Sequence, residues 1–143
     1  MTITVQQVFD QAIHLMDEQN ENTGATETVD TKEYKSRTIS ILNTVIPRLY
    51  PYSSNYDRTS AGRPAAIALY CEDYSDPDFE QIIMLDDDMC LGLLPFYLAA
   101  QLMSGENDSL ASWFMTQYRE NMNDFKRNML GSFEAISTPY GLF

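Results

Sequence analysis

The middle of the chain contains no lysine and no arginine. Between Pro64 and Tyr118 there are ten acidic residues and no basic one, so this stretch supplies ten of the 12 net negative charges of the 143-residue chain. Tight binding of nucleic acid depends on Lys and Arg, which displace counterions from the phosphates. The pattern therefore favours repulsion of DNA, attraction of basic partners or binding of cations. A solvated acidic surface that keeps the chain soluble explains it equally well.

Side chains for catalysis are also scarce. The only histidine, His14, lies beside the apolar stripe of the first predicted helix, so no second histidine exists for a zinc site or a catalytic triad. The two cysteines, Cys71 and Cys90, are too few for a disulfide scaffold or a zinc site, and we expect both to be reduced. We therefore predict no catalytic residue, no metal site and no cofactor.

The clustered acids leave one enzymatic alternative open. Hard cations prefer carboxylate ligands, and a metal-dependent hydrolase would use Asp73, Asp76, Asp78 or Asp86–Asp88. The spacing departs from a calcium loop, which needs acids at alternate positions and a central glycine. Here Pro77 interrupts the cluster and no glycine is present.

Long apolar runs are missing as well. No stretch reaches the roughly 20 apolar residues of a membrane span. The first residues lack a basic region, so no secretory signal is expected. The most apolar stretch, "LLPFYLAAQL" from Leu93, is apolar on nearly all sides, which predicts a central buried helix.

The spacing of apolar residues predicts an all-α fold, a small bundle of about four helices. Thr4 and Gln7 fit a capping box for the first helix. Pro47 should kink or end the second helix, and Pro95 should bend or restart the third. The four predicted helices are Val5 to Met16, Asp30 or Thr31 to about Val45 or Ile46, Asp87 or Asp88 to Met103, and Asn107 or Asp108 to Gly131.

Residues 65–85 are ambiguous. The runs "AAIALYCED" and "FEQIIMLD" are too short for periodicity to distinguish strands from helices, and "YSDPD" between them is typical of a turn. A short β-hairpin and a pair of short helices are both compatible with this stretch.

The end of the chain is unusually apolar for a tail. We divide the chain into a helical domain, residues 1–130, and a C-terminal tail, residues 131–143. Disordered tails are normally poor in apolar residues, so this one is expected either to dock into a partner or to pack back onto its own domain. Its apolar anchors are Phe133, Ile136, Pro139, Tyr140, Leu142 and Phe143.

Several of these segments resemble the head–tail connector proteins of tailed bacteriophages, which are also called adaptor or head-completion proteins. The resemblance begins with "VQQVFDQAIHLMDE", a polar loop and "EYKSRTISILNTVIPRLYP". It continues through "QIIMLDDDMCLGLLPFYLAAQLMSGEND" to "LASWFMTQYREN" and covers most of the chain, from about Val5 to Met129. It is strongest from Leu93 to Tyr118, and it consists of apolar positions and a few fixed letters rather than a catalytic motif.

The resemblance implies a structural protein of the virion neck without catalytic activity or cofactors. Such proteins form a homo-oligomeric, dodecameric ring beneath the portal, extend the DNA exit channel and offer a docking surface to the next neck or tail-completion protein. Their C-terminal segments commonly reach into the portal, a role that would fall here to Gly131–Phe143. The protein would reside at the head–tail junction, and in the host cytoplasm during assembly, without contact to a membrane.

A ring of this kind must let DNA slide through without specific binding. An acidic lumen would repel the phosphates, and the candidate residues for its wall are Asp73, Asp76, Asp78, Asp86, Asp87 and Asp88. The same charge block also fits a second class, a small acidic DNA mimic that occupies the nucleic-acid site of a basic partner. A DNA mimic would not need the apolar tail, which distinguishes the two hypotheses.

Overall fold

The protein is a small all-α bundle. The computed structural model describes residues 1–18, 21–54, 56 and 68–137, the last nine of them as backbone only. No strand is present in this part of the chain, and a 3₁₀ turn at Tyr50–Tyr52 follows the second helix. The helices are α1 (Val5–Met16), α2 (Lys32–Leu49), α3 (Asp87–Gly92), α4 (Leu94–Met103) and α5 (Asp108–Ser137).

Helix α1 begins at the predicted capping box. The Thr4 hydroxyl accepts a hydrogen bond from the backbone N–H of Gln7 at 3.3 Å, and the Gln7 side-chain oxygen accepts one from the backbone N–H of Thr4 at 2.9 Å. The apolar residues of the helix recur every three or four positions and form one side that faces the core. Leu15 is exposed, and the other six apolar residues are buried: Val5, Val8, Phe9, Ala12, Ile13 and Met16.

Helices α3 and α4 replace the single helix predicted from Asp87 or Asp88 to Met103. The break falls at Leu93, just before Pro95, as the sequence predicts. Pro95 lies in the first turn of α4, where its missing N–H would have no helical partner anyway. Helix α4 packs against α1, α2, α3 and α5, and all its residues except Phe96 and Gln101 are buried, so the prediction of a central helix is confirmed.

The sequence predicts that Pro47 kinks the second helix or ends it near Val45 or Ile46, and the second alternative is wrong, because α2 continues through Pro47 to Leu49. Pro47 removes one hydrogen bond of the helix, because it has no backbone N–H to donate. The final turn is held by Leu49, which is only 1% exposed, and the backbone N–H of Tyr50 bonds to the Ile46 carbonyl.

Residues 68–88 form the acidic segment, which leads across the bundle into α3. The described residues 68–85 do not form the β-hairpin that was one of the two alternatives for residues 65–85. Residues 65–67 lie outside the described chain. Side-chain amides, rather than a partner strand, satisfy backbone groups of this segment. The Asn43 amide bonds to the backbone N–H and carbonyl of Leu69, and the Gln81 amide bonds to the backbone N–H and carbonyl of Tyr70. One isolated antiparallel bridge joins Ile82 to Thr4.

Helix α5 is longer than predicted. Its N-terminal cap is Asn107, as expected, since the side-chain oxygen accepts a hydrogen bond from the backbone N–H of Leu110 at 3.1 Å. The prediction that Gly131 ends the helix is wrong, because the helix continues to Ser137. Gly131 does not adopt the positive φ of a helix stop. A glycine inside a helix costs only about 1 kcal/mol relative to alanine, so the helix tolerates it.

Candidate functional site

The acidic segment presents its first carboxylates to solvent. Asp73, Asp76 and Asp78, half of the candidate lumen residues, are exposed. Between them and α3, the segment is anchored by the buried side chains of Phe79 and Ile83. The Phe79 ring packs on Phe9 of α1 with 5.2 Å between ring centroids. The segment is therefore a fixed surface with charges outside and apolar anchors inside.

The most exposed part of this surface is the acidic turn, Glu72–Asp76, whose five residues are all exposed. The Asp73 carboxylate accepts hydrogen bonds from the backbone N–H of Ser75 at 3.0 Å and from its hydroxyl at 2.7 Å. These bonds to Ser75 lower the pKa of Asp73, so the carboxylate stays charged. At the centre of the turn, the Tyr74 side chain is 52% exposed.

The other candidate lumen residues, Asp86–Asp88, are partly occupied in holding the fold. Asp86 accepts hydrogen bonds from the backbone N–H and the hydroxyl of Ser54, at 3.0 and 2.6 Å. Asp87 accepts bonds from the backbone N–H and hydroxyl of Thr2, both at 2.7 Å, and these lower the pKa of Asp87 to about 2. Asp88 is exposed. The six carboxylates therefore fall into two groups, one on the loop and one at the start of α3.

Other chemically capable side chains are dispersed. His14 is exposed, with its Nε2 atom 3.1 Å from the Gly24 carbonyl oxygen. Cys71 and Cys90 are both free thiols, as expected, and burial raises the pKa of Cys90 to about 12. Among the described residues, no three His, Cys, Asp or Glu side chains are grouped so as to hold a metal ion.

The predicted tail begins as a continuation of α5. Phe133 and Ile136 lie in the last turns of this helix, where the structure describes the backbone. Pro139, Tyr140, Leu142 and Phe143 lie outside the described residues. A helix of 30 residues is about 45 Å long at 1.5 Å per residue, so α5 is the longest element of the described chain. None of the described helices is long and apolar enough to cross a membrane.

Sequence analysis missed a second charged surface, the basic groove. It is a cleft of about 380 Å³ between the end of α2 and the middle of α5. None of the described residues that line the groove is acidic, and its floor includes Leu49 and Met122. Three of the seven Lys and Arg residues that the structure describes lie along it: Arg48, Arg119 and Lys126. Arg119 and Lys126 both lie on α5, and tertiary packing brings Arg48 of α2 to the same cleft.

Two tyrosines add aromatic walls to the basic groove. The Lys126 ammonium lies over the Tyr52 ring, 5.3 Å from its centroid. Tyr118 is half-buried, and burial followed by the neighbouring Tyr97 raises its pKa, while Arg48 acts in the opposite direction. Neither Arg48 nor Arg119 forms an ion pair with a described residue. The groove thus offers unpaired guanidinium groups beside apolar and aromatic side chains.

The acidic segment also exposes large apolar side chains between its carboxylates. Tyr70 is 66% exposed, Ile82 is 50% exposed and Met84 is 40% exposed, in addition to Tyr74. Such side chains scattered singly are ordinary on protein surfaces, but here four of them are exposed within one stretch, residues 70–84.

Comparisons with known proteins add no relative to this description. The chain matches no protein-family model, no curated protein and no solved structure.

Proposed function

We propose that this protein is a structural connector of the phage neck, one subunit of a ring that joins the portal of the DNA-filled head to the tail. The observation that carries the proposal is the combination of two surfaces on one small helical domain. The acidic segment exposes carboxylates as well as Tyr70, Tyr74 and Ile82, and the basic groove exposes Arg48 and Arg119, which form no ion pair with a described residue. Exposed aromatic and arginine side chains are typical of surfaces that contact other proteins.

The acidic segment also supports a passive role towards DNA. The structure keeps Asp73, Asp76, Asp78 and Asp88 exposed, and the described part of this segment carries no cation. Duplex DNA that passes such a surface meets repulsion rather than the Lys and Arg contacts that hold phosphates. We propose that part of this segment faces the channel, so that DNA moves through the ring without specific binding.

The length of α5 supports a docking role for the end of the chain. The helix is 30 residues long and carries Phe133 and Ile136 in its last turns. We propose that these residues, together with Pro139, Tyr140, Leu142 and Phe143, insert into the portal. The protein would then act in the virion neck, with the portal on one side and the next neck protein on the other.

The experiment is electron microscopy of the purified protein mixed with its cognate portal protein. We expect a ring of density beneath the portal, coaxial with its channel. If the protein stays monomeric and no complex with the portal forms at any ratio, the proposal is wrong.

Two variants locate the docking residues. Removing residues 138–143 leaves α5 complete, and the double substitution F133A/I136A leaves the chain end intact. We expect both to weaken portal binding measured by biolayer interferometry. As a control, W113A changes an aromatic residue that is 51% exposed at the other end of α5, and it should bind the portal normally. If both tail variants bind normally while the protein binds a basic DNA-binding partner in a salt-sensitive manner, the DNA mimic is the better description.

A further inference from the structure

The basic groove is an exception in this protein. The chain carries 12 net negative charges, yet Arg48, Arg119 and Lys126 lie together along one cleft whose described lining contains no acid. Like charges held close together repel each other unless an anion joins them. Besides its charges, the groove has an apolar floor that includes Leu49 and Met122. This composition is complementary to a partner that has carboxylates and an apolar or aromatic side chain.

The acidic turn has that composition. Glu72 and Asp76 flank Tyr74, and all three side chains are exposed. The two bonds from Ser75 to Asp73, together with the bond from the Asp76 backbone N–H to the Asp73 carbonyl at 3.1 Å, hold the turn in one conformation. A turn that is already ordered loses little conformational entropy when it binds.

The acidic turn lies near the start of α2, because Ser75 lines the same cleft as Lys32 and Lys35, whereas the basic groove lies at the end of α2. The acidic segment packs on α1 and α2, as shown by the contact of Phe79 with Phe9 and by the Lys35 ammonium, which lies 5.2 Å from the Phe79 ring centroid. The basic groove opens instead between α2 and α5. Both surfaces of one molecule are therefore available to two different neighbours.

We propose that the acidic turn of one copy docks into the basic groove of the next copy. The inference rests on the proposed function and deepens it, because it names the contact that builds the ring. Glu72 and Asp76 pair with Arg48 and Arg119, whose planar guanidinium groups suit carboxylates, and Tyr74 lies on the apolar floor. A contact between two different surfaces repeats from copy to copy, so it generates a ring if the rotation closes and a filament if it does not.

This contact divides the acidic residues into two sets. Glu72, Asp73 and Asp76 belong to the joint between neighbouring copies. Asp78 and the group at the start of α3, Asp86–Asp88, remain for the channel wall.

The first test compares two charge reversals by sedimentation velocity, with the protein alone. R48E/R119E changes the groove and makes the chain more acidic, whereas E72K/D76K changes the turn and makes it less acidic. We expect each to weaken self-association at least about tenfold, and added salt to weaken the wild-type association. General charge repulsion predicts the opposite for E72K/D76K. The control E21K/D108K makes the same change in net charge at exposed sites outside the acidic turn and the basic groove, and it should not weaken association.

The decisive test mixes the two variants. The reversed groove of R48E/R119E should accept the reversed turn of E72K/D76K, and the unchanged groove of the second should accept the unchanged turn of the first. We expect the equimolar mixture to associate although each variant alone does not. Circular dichroism of each variant shows whether it is folded, and restored association in the mixture itself requires folded chains.

Three results would overturn the inference: a wild-type protein that stays monomeric at low ionic strength and high concentration, reversals without effect, or a mixture that stays dissociated. Binding of duplex DNA by the wild type that is lost in R48E/R119E would also overturn it, since the groove would then be a phosphate site. These results are distinct from the test with the portal. A portal complex of R48E/R119E in which the ring of neighbouring copies stays intact refutes the groove contact and leaves the connector role, whereas copies that associate through the groove without binding any portal do the reverse.

Discussion

Asp87 and Thr2, which are 85 positions apart, are joined by two hydrogen bonds of 2.7 Å that tie the start of α3 to the residues before α1. These bonds lower the pKa of Asp87 from 3.8 to about 2. Because the folded state favours the charged carboxylate, its contribution to stability is complete above about pH 4 and is lost as the pH falls towards 2. We expect urea unfolding to show that the wild type loses its advantage over D87N within this window.

A graded control is available at Thr2. The substitution T2V removes the hydroxyl donor and keeps the backbone N–H, so the pKa of Asp87 should rise only part of the way to 3.8. Carboxyl NMR of Asp87 measures this directly. A difference in stability between the wild type and D87N that does not depend on pH would contradict the prediction.

Two neighbouring aromatic residues on α5 should differ strongly in their contribution to stability. Phe114 is 1% exposed, Trp113 is 51% exposed, and their ring centroids are 5.2 Å apart. We expect F114A to lower the free energy of unfolding by about 3–5 kcal/mol, because it leaves a cavity in the core. W113A should cost about 1 kcal/mol, since it removes mainly an aromatic contact at the surface. Equal losses in denaturant unfolding would refute this arrangement of α5.

The cap of α5 should have a measurable effect of its own. Removing the side-chain oxygen of Asn107, which accepts the bond from the Leu110 N–H, should cost about 1 kcal/mol in the variant N107A. N107D keeps an acceptor at the same position and should retain nearly the full free energy of unfolding. If both variants lose the same amount, the cap is not the cause.

Affinity for DNA separates a passive channel from a nucleic-acid-binding protein. We expect no binding of duplex DNA in fluorescence anisotropy at physiological ionic strength, because the exposed acidic segment repels phosphates and offers no cation in its described part. The variant D78N/D88N, which removes two exposed charges of the proposed channel wall, should weaken this repulsion without creating a tight site. A dissociation constant near or below about 1 µM at physiological salt, tighter than ordinary non-specific binding, would count against the proposed function.

The parts of the fold that sequence analysis predicted correctly depend on signals a few residues apart. The capping box of α1 needs only Thr4 and Gln7, the cap of α5 needs only Asn107, and the break before α4 follows from the missing N–H of Pro95. Each of these is a local rule that neighbouring elements do not change. Helix existence and order were therefore predictable from the sequence.

The errors concern residues whose effect depends on their surroundings. Proline and glycine often end helices, but α2 continues past Pro47, where the buried Leu49 holds the following turn. Helix α5 continues past Gly131, since a glycine inside a helix costs only about 1 kcal/mol. The basic groove could not be predicted because Arg48 and Arg119 are neighbours only after α2 and α5 pack. The acidic segment, in contrast, was visible because its residues are consecutive.

The backbone hydrogen bonds next to the bridge at Thr4 can be followed by hydrogen exchange. The first two backbone N–H groups of α1, from Val5 and Gln6, have no acceptor inside their own helix, and they bond to the carbonyls of Gln81 and Phe79 at 3.0 and 2.9 Å. These two amide protons can exchange with deuterated solvent only when residues 79–81 lift off the helix. Their exchange rates therefore measure how often residues 79–81 separate from α1. A neighbouring copy that binds the acidic turn should slow this exchange.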